Sequence, residues 1–424
     1  MPHLRRKFVL LAALAVLALI GGGLWWNHRP PPPPPPPGSL SALAPPPDWS
    51  RLDPYQGVLT RAEFELHLTA AFTTGEGWRE SIRIDAAAAI IATGEAPPHA
   101  SYRLAFRSGG PPPTPPRYWH AAAELPPAPA GKPLAGARIA IDPGHIGGEW
   151  ATIEERDLVV GKNPPVREGD LTLAVAKILK PQLEALGATV LLVRKTSAPL
   201  TRLRPADLTA EAAATLPNNP KNRLDKLAAR LFYRTAEIRA RADLVNTSLK
   251  PDLVLCLHFN ADAWGAPDNP LMVNRSHLHL LVNGAYADAE VALADQRFAL
   301  LHKLLQGTHE EEVLIASAVA SSMAAATGLP PFTYAADSGT ALPTPGEPYV
   351  WARNLLANRL YECPVVYTEP YVMNSRADYA RILAGDYDGL RSIDGTPRRS
   401  IFREYADSLA VGLARHFSQQ RPPP

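Results

Sequence analysis

The sequence is poor in cysteine, has no excess of either charge and shows no internal repeat. Two cysteines in 424 residues, Cys256 and Cys363, leave room for at most one disulfide. Both sit in apolar runs, which favours two buried free thiols. A formal net charge of +2 without a basic stripe makes nucleic acid a poor partner. The absence of a repeat excludes a solenoid. What the chain does have in quantity is proline, 46 residues, concentrated in linkers.

The N-terminus carries an address. Arg5, Arg6 and Lys7 directly precede an uncharged stretch from Phe8 to Trp26. About 19 residues at 1.5 Å rise span roughly 29 Å, close to the hydrocarbon thickness of a bilayer. Trp25 and Trp26 lie where an interfacial aromatic belt belongs, and the basic flank argues for a cytoplasmic N-terminus. A cleaved signal peptide would have a shorter apolar core and a nearby A-x-A-like site. The nearest match, Ala42-Leu43-Ala44, lies well beyond the run and is followed by proline. An uncleaved membrane anchor is therefore expected, and with either outcome the remainder is exported.

The organisation expected is an anchor or signal over 1–29, a Pro-rich linker over 30–49, a small α+β domain over 50–108, a second Pro-rich linker over 109–133, a catalytic domain over 134–417 and a tail over 418–424. Pro30 to Pro37 should form a polyproline rod of roughly 25 Å. In the small domain, Phe64, Leu68 and Phe72 have helical spacing, with Thr60 as N-cap and Glu63 completing a capping box. "WRESIRID", "AAIIATG" and "SYRLAFRSG" read as short strands.

From about Leu134 strands and helices alternate. "ARIAID", "ATVLLVR" and "PDLVLCLHFNAD" read as strands. "DLTLAVAKILKPQLEALG" reads as a helix capped by Asp170, kinked at Pro181 and stopped at Gly187, and "YRTAEIRARADLVNTS" as another helix. Continuous apolar strands alternating with helices predict an α/β fold, a mostly parallel central sheet with helices on both faces. Residues 197–232 and 263–310 are expected to lengthen the connections.

Four residues share one topological position. His145 follows the strand ending at Ile141, in "IAIDPGHIGG". Glu168, in "VREGD", opens a helix. His258 closes the strand Leu253 to Leu257, and Glu369, in "PVVYTEP", follows Val365 to Thr368. Residues just beyond the carboxyl ends of strands in an open sheet converge on one crevice. Two histidines and a carboxylate with an open fourth position suit a catalytic zinc ion, and a further glutamate suits a general base. Singly, each has a plainer reading: a loop histidine held by Asp142, a core histidine, a first-turn glutamate favoured by the helix dipole, a solvated loop acid. A phosphate-binding loop is disfavoured, since no Lys-Ser/Thr follows the glycines.

The same residues, with Arg194, the Arg241–Asn246 segment and "DLVLCLHFNAD", resemble in order the catalytic domain of the zinc-dependent N-acetylmuramoyl-L-alanine amidases. The resemblance covers residues 134–417. It implies hydrolysis of the amide between N-acetylmuramic acid and L-alanine in peptidoglycan, one catalytic Zn2+ held by His145, Glu168 and His258, and Glu369 as base. Asn260 would be a contact to ligand or substrate, and Asp142 would fix the turn through backbone hydrogen bonds. It implies peptidoglycan as partner and a cell-envelope location, anchored in the inner membrane or periplasmic if the N-terminus is cleaved. Three positions depart from the family: Ile146 is an extra residue before the Gly pair, Cys256 replaces a serine, and Glu369 is followed by Pro370-Tyr371-Val372. Glu362 is the fallback base. The competing readings are a different zinc peptidase acting on stem peptides and a degenerate peptidoglycan-binding protein.

Overall fold

The computed structural model describes residues 39–265, 269–335 and 338–423. The expected anchor and the Pro30–Pro37 rod lie outside them. Among the described residues no helix is long and apolar enough to cross a membrane.

The principal elements are α1 (Arg61–His67), β1 (Ile82–Ile84), β2 (Ala88–Ala92), β3 (Ser101–Ala105), β4 (Arg138–Pro143), α2 (Glu168–Ala185), β5 (Thr189–Leu192), α3 (Lys221–Arg230), α4 (Glu237–Asp243), β6 (Leu253–Leu257), β7 (Leu278–Val282), α5 (Ala294–Gln306), α6 (Thr308–Thr327), β8 (Leu342–Pro343), β9 (Val350–Ala352), α7 (Leu356–Leu360), β10 (Val365–Pro370) and α8 (Ile401–Gln420). The central sheet runs β8-β9-β7-β10-β6-β4-β5. The four strands β10, β6, β4 and β5 are mutually parallel, and β7 joins β10 antiparallel. The sheet is thus mixed, with a parallel core.

Burial explains the two-sided cover. β6 and β7 are buried at every residue, so both faces of the sheet need a layer. On one face Ile139, Ile141, Leu255 and Leu280 pack against Val175 and Leu179 of α2, Val319 of α6 and Leu409 of α8. On the other, Ala140, Val254, Cys256 and Tyr367 meet Ala242 and Val245 of the α4 segment and Ala357 of α7. Both cysteines are free and buried, as expected, and burial pushes the Cys363 thiol up to about 12.

Several expectations change. α2 begins at Glu168, with Arg167 in the capping position. Asp170 lies inside the first turn, where its carboxylate accepts from Gly148 N–H instead of capping. As expected, the helix contains Pro181 and ends just before Gly187, its last residue being Ala185. Residues 263–310 do more than lengthen a connection: they contain β7, a strand of the central sheet, and α5. α3 and α4 are joined by a wider helical stretch, Leu231–Ala236.

The segment 50–108 has the capping box of Thr60 and Glu63 and the three short strands, in the order β1-β2-β3. Its core is completed by α5: Leu52, Phe64, Phe72 and Trp78 cluster with Phe298, Leu301 and Leu305. Backbone bonds seal the join, Tyr286 N–H donating to Phe72 carbonyl at 2.7 Å. The Pro-rich connector also lies on the domain: Trp119 is buried beneath the Arg117 guanidinium at 3.5 Å.

Candidate metal centre and active site

Strand register brings the candidate residues together. Pro143 of β4 pairs with Leu257 of β6, and Leu257 pairs with Thr368 of β10, forming one row across three parallel strands. His258 and Glu369 are each the next residue, and His145 lies two beyond Pro143. The ladder continues past that row, with Gly144 N–H donating to Leu257 carbonyl at 2.9 Å and His258 N–H to Thr368 carbonyl at 3.0 Å. Gly144 has no room for a side chain, since a Cβ there would lie 2.3 Å from His258 Cε1.

Glu168 is the centre of the cluster. Its Oε2 lies 3.2 Å from His145 Nε2, and its Oε1 lies 3.2 Å from His258 Nδ1. Phe259 N–H donates to the same Oε1 at 3.2 Å, and Arg156 Nε lies 3.6 Å from Oε2. The three ligand atoms all lie within 4.8 Å of one another. Bonds of about 2.0–2.2 Å in a tetrahedral zinc set put ligand atoms roughly 3.3 Å apart, so this donor set fits a divalent cation. The Glu168 side chain is 3% exposed. Burial alone would raise its pKa, but His145 and then His258 outweigh burial and hold it below the usual carboxylate range.

A second carboxylate fixes the first histidine. Glu154 Oε1 faces His145 Nδ1 at 3.2 Å, and Glu154 Oε2 accepts Ile146 N–H at 2.9 Å. With Nδ1 turned to Glu154, Nε2 is the atom aimed at Glu168. A buried carboxylate behind a histidine ligand fixes its tautomer and ring orientation. In the metal-free protein burial disfavours the His145 cation. Glu168 and Glu154 overcome it and push the imidazole up to about 10. His258 stacks on Tyr367, with ring centroids 5.2 Å apart and planes inclined by 19°.

The loop around His145 is held differently from expectation. Asp142 makes no bond to the turn's backbone; its Oδ1 accepts from Arg241 Nη1 at 2.8 Å and its Oδ2 from the Tyr361 hydroxyl at 2.5 Å. Arg241 does the backbone work, donating to the carbonyls of Pro143 at 3.0 Å and His145 at 2.7 Å. Glu237 fixes Arg241 from the other side at 2.8 Å. Arg194 ties the loop to α2 through Gly169 carbonyl, at 2.6 Å. Ile146, the extra residue, is fully buried among Leu208, Leu231 and Phe232, so the inserted helices grip the loop through it.

Glu369 borders the same cleft of about 680 Å3 as His145, His258, Glu154 and Tyr367. Burial raises its pKa; His258 works against that rise and Glu168 adds to it. Asn260 makes no hydrogen bond to the three candidate ligands among the described residues: its Nδ2 lies 3.3 Å from His279 Nδ1, and its Oδ1 accepts the N–H of Ala261. His279 is the register partner of Glu369 in β7. Burial lowers the His279 pKa to about 3, which keeps it neutral. Glu362 is paired with Arg51 at 2.8 Å at the other end of its strand. It therefore stays out of the cleft. Sequence reasoning missed Glu154 and His279. The signal for Glu154, an acid nine residues after His145 on a short helical turn, has no recognisable spacing.

No protein-family model and no curated protein sequence matches the chain. Among solved structures it is similar to the N-acetylmuramyl-L-alanine amidase Ami1 of Mycobacterium smegmatis, with 18% identity, a TM-score of 0.38, and 68% of this chain and 99% of that one covered. It is similar to the CwlD amidase of Clostridioides difficile, solved in complex with the GerS lipoprotein, at 12% identity, a TM-score of 0.38, and 67% and 100% coverage. The N-acetylmuramoyl-L-alanine amidase AmiC2 of Nostoc punctiforme gives 15%, a TM-score of 0.34, and 67% and 97%. Each of the three is an amidase.

Proposed function

We propose that the chain is a zinc-dependent N-acetylmuramoyl-L-alanine amidase that cleaves peptidoglycan in the cell envelope. The observation that carries this reading is the convergence of His145, Glu168 and His258, with their ligand atoms within 4.8 Å, in a cleft that Glu369 also borders. A zinc ion held by those three residues would supply Lewis-acid polarisation of the scissile carbonyl and a low-pKa water.

The chain's own groups do the rest. Glu154 keeps the His145 proton on Nδ1, leaving Nε2 free as a donor. Glu369 takes a proton from the attacking water on its carboxylate and delivers it to the departing amide nitrogen. Its raised pKa suits that exchange, because a carboxyl nearer neutrality accepts and returns a proton more evenly. Asp142, Arg241 and Glu237 hold the loop so that His145 does not have to be positioned by the metal alone. The anchor expected at Phe8–Trp26, with the polyproline stretch behind it, would place this cleft outside the cytoplasmic membrane.

Zinc dependence and the base are tested together on isolated peptidoglycan. Solubilised fragments should vanish with a chelator and return with added zinc. Glu369→Ala should bind zinc with the native stoichiometry and release nothing. Release that survives chelation would exclude the metal, and an active Glu369→Ala would exclude the base.

A further inference from the structure

The cleft wall is rich in arginine, and not every guanidinium on it has a carboxylate partner among the described residues. Of the arginines on its wall, Arg241 is paired with Asp142 and Glu237, Arg239 lies 3.9 Å from Asp295, and Arg359 donates to Gln296 and Asn354. Arg230, Arg234 and Arg353 line the same wall, and among the described residues none of the three pairs with a carboxylate. Their single side-chain bond among the described residues is from Arg353 Nη1 to the Tyr334 hydroxyl, at 3.1 Å.

Three of the neighbouring acids make hydrogen bonds of their own, and Glu369 faces the same cleft. Glu154 serves His145 and Ile146, Glu237 serves Arg241 and the amides of Leu200 and Thr201, and Glu290 accepts Ala287 N–H. Glu155, in the adjoining hollow with Arg230 and Arg234, makes no ion pair among the described residues. Grouping guanidinium groups this way costs repulsion. Partial burial, then the charges of Arg230, Arg156 and Arg353, lower the pKa of Arg234. An anion entering the cleft would relieve that cost. Like-charged side chains held in a concave site without their own counterions focus potential for a negatively charged ligand.

Resting on the amidase reading above, we propose that Arg234 and Arg353 form a subsite for a substrate carboxylate on the peptide side of the scissile amide. The two come from separate segments, the Leu231–Ala236 stretch and the residue after β9, and both line the cleft that holds the metal ligands. Arg353 sits on the side of Glu369: its partner Tyr334 lies 3.4 Å from His279 Nε2, and His279 is the register partner of Glu369. The group that protonates the leaving nitrogen necessarily faces the leaving peptide, so cations on that side meet the peptide first. Planar guanidinium forks match a carboxylate in two-point contact. The acid concerned is the free carboxylate of the residue after L-alanine. A stem whose second residue is glutamate fits, and one bearing its amide lacks the charge.

The test is calorimetric titration of the full chain with muramoyl-L-alanyl-D-isoglutamate whose side-chain carboxyl is blocked as the methylamide, as the next residue of a stem blocks it, and with the corresponding isoglutamine amide blocked in the same way. The acid should bind about tenfold tighter or better, as expected for a charge-assisted contact. The difference should disappear in Arg234→Gln combined with Arg353→Gln. Arg234→Gln alone should shrink it while leaving the melting temperature unchanged, because that side chain makes no side-chain hydrogen bond or ion pair among the described residues. Equal affinity for the two ligands, no binding of either, or a preference that survives the double substitution overturns the proposal. Binding is read separately from turnover. A chain that binds the acid through these arginines but hydrolyses nothing would keep the subsite and lose the amidase reading; a chain that cleaves both equally would do the reverse.

Discussion

Glu154→Gln probes how far the site depends on a residue that touches no metal. The native carboxylate accepts two hydrogen bonds, from His145 Nδ1–H at 3.2 Å and from Ile146 N–H at 2.9 Å. A glutamine offers one oxygen, and its NH2 must then face a donor. One of two things follows. If the oxygen stays on His145, the buried amide of Ile146 is stranded, at about 1–3 kcal/mol. If it moves to Ile146, His145 loses its orienting partner and the tautomer that leaves Nε2 unprotonated. The substitution also removes a negative charge behind the ligand, which lowers the basicity of Nε2. Losing such an outer partner costs roughly 10–100-fold in metal affinity. That corresponds to about 1.4–2.7 kcal/mol. Competition with a fluorescent zinc chelator measures it, with Glu155→Gln, outside the bond to His145, as the control. An affinity within twofold of the native value would refute the assignment of Glu154 as the support of His145.

Three further outcomes follow from the same geometry. Zinc binding should release about one proton near pH 7, since the metal-free site holds His145 pushed up to about 10 and the metal needs it neutral on Nε2. Apparent affinity should therefore rise about tenfold per pH unit between pH 6 and 8, and titrations at several pH values that give a flat line would contradict this. Gly144→Ala places a methyl 2.3 Å from His258 Cε1. It should abolish zinc binding measured by metal analysis, while circular dichroism stays native. Ile146→Ala opens a hole among Leu208, Leu231 and Phe232, and about 2–5 kcal/mol of stability should be lost in denaturant unfolding. A loss below 1 kcal/mol would mean that the inserted helices do not grip the loop.

The parts of the site written into single strands were legible from the sequence. An apolar strand closed by His258, an apolar run followed by Glu369, and a loop with His145 after Ile141 all place these residues at the carboxyl end of a parallel set of strands. The register of Pro143, Leu257 and Thr368 is the physical form of that expectation. Glu168 was legible as a helix opener, and the structure begins α2 at that residue. What was not legible depends on contacts between distant segments. Arg241 reaches the turn from another helix, and Asp142 answers it there instead of bonding its own loop. Ile146 stood out only as an extra residue before the Gly pair; its packing partners, among Leu208 to Phe232, lie in an insertion whose path no local pattern reveals. β7 was hidden inside a presumed insertion for a similar reason. Its antiparallel pairing with β10 breaks the strand–helix alternation on which the reading relied.

The amide that is cut is the most direct test of the whole account. The full chain, loaded with zinc, should be incubated with isolated peptidoglycan and the released fragments read by mass spectrometry. Free stem peptides with an amino-terminal L-alanine, and glycan strands bearing an unsubstituted lactyl carboxylate, are the predicted products. Fragments trimmed only at the far end of the stem would make the protein a peptidase of a different bond. Stoichiometric zinc with no fragments at all would make it a binding protein, and the roles given to Glu369 and Glu154 would fall with the reaction.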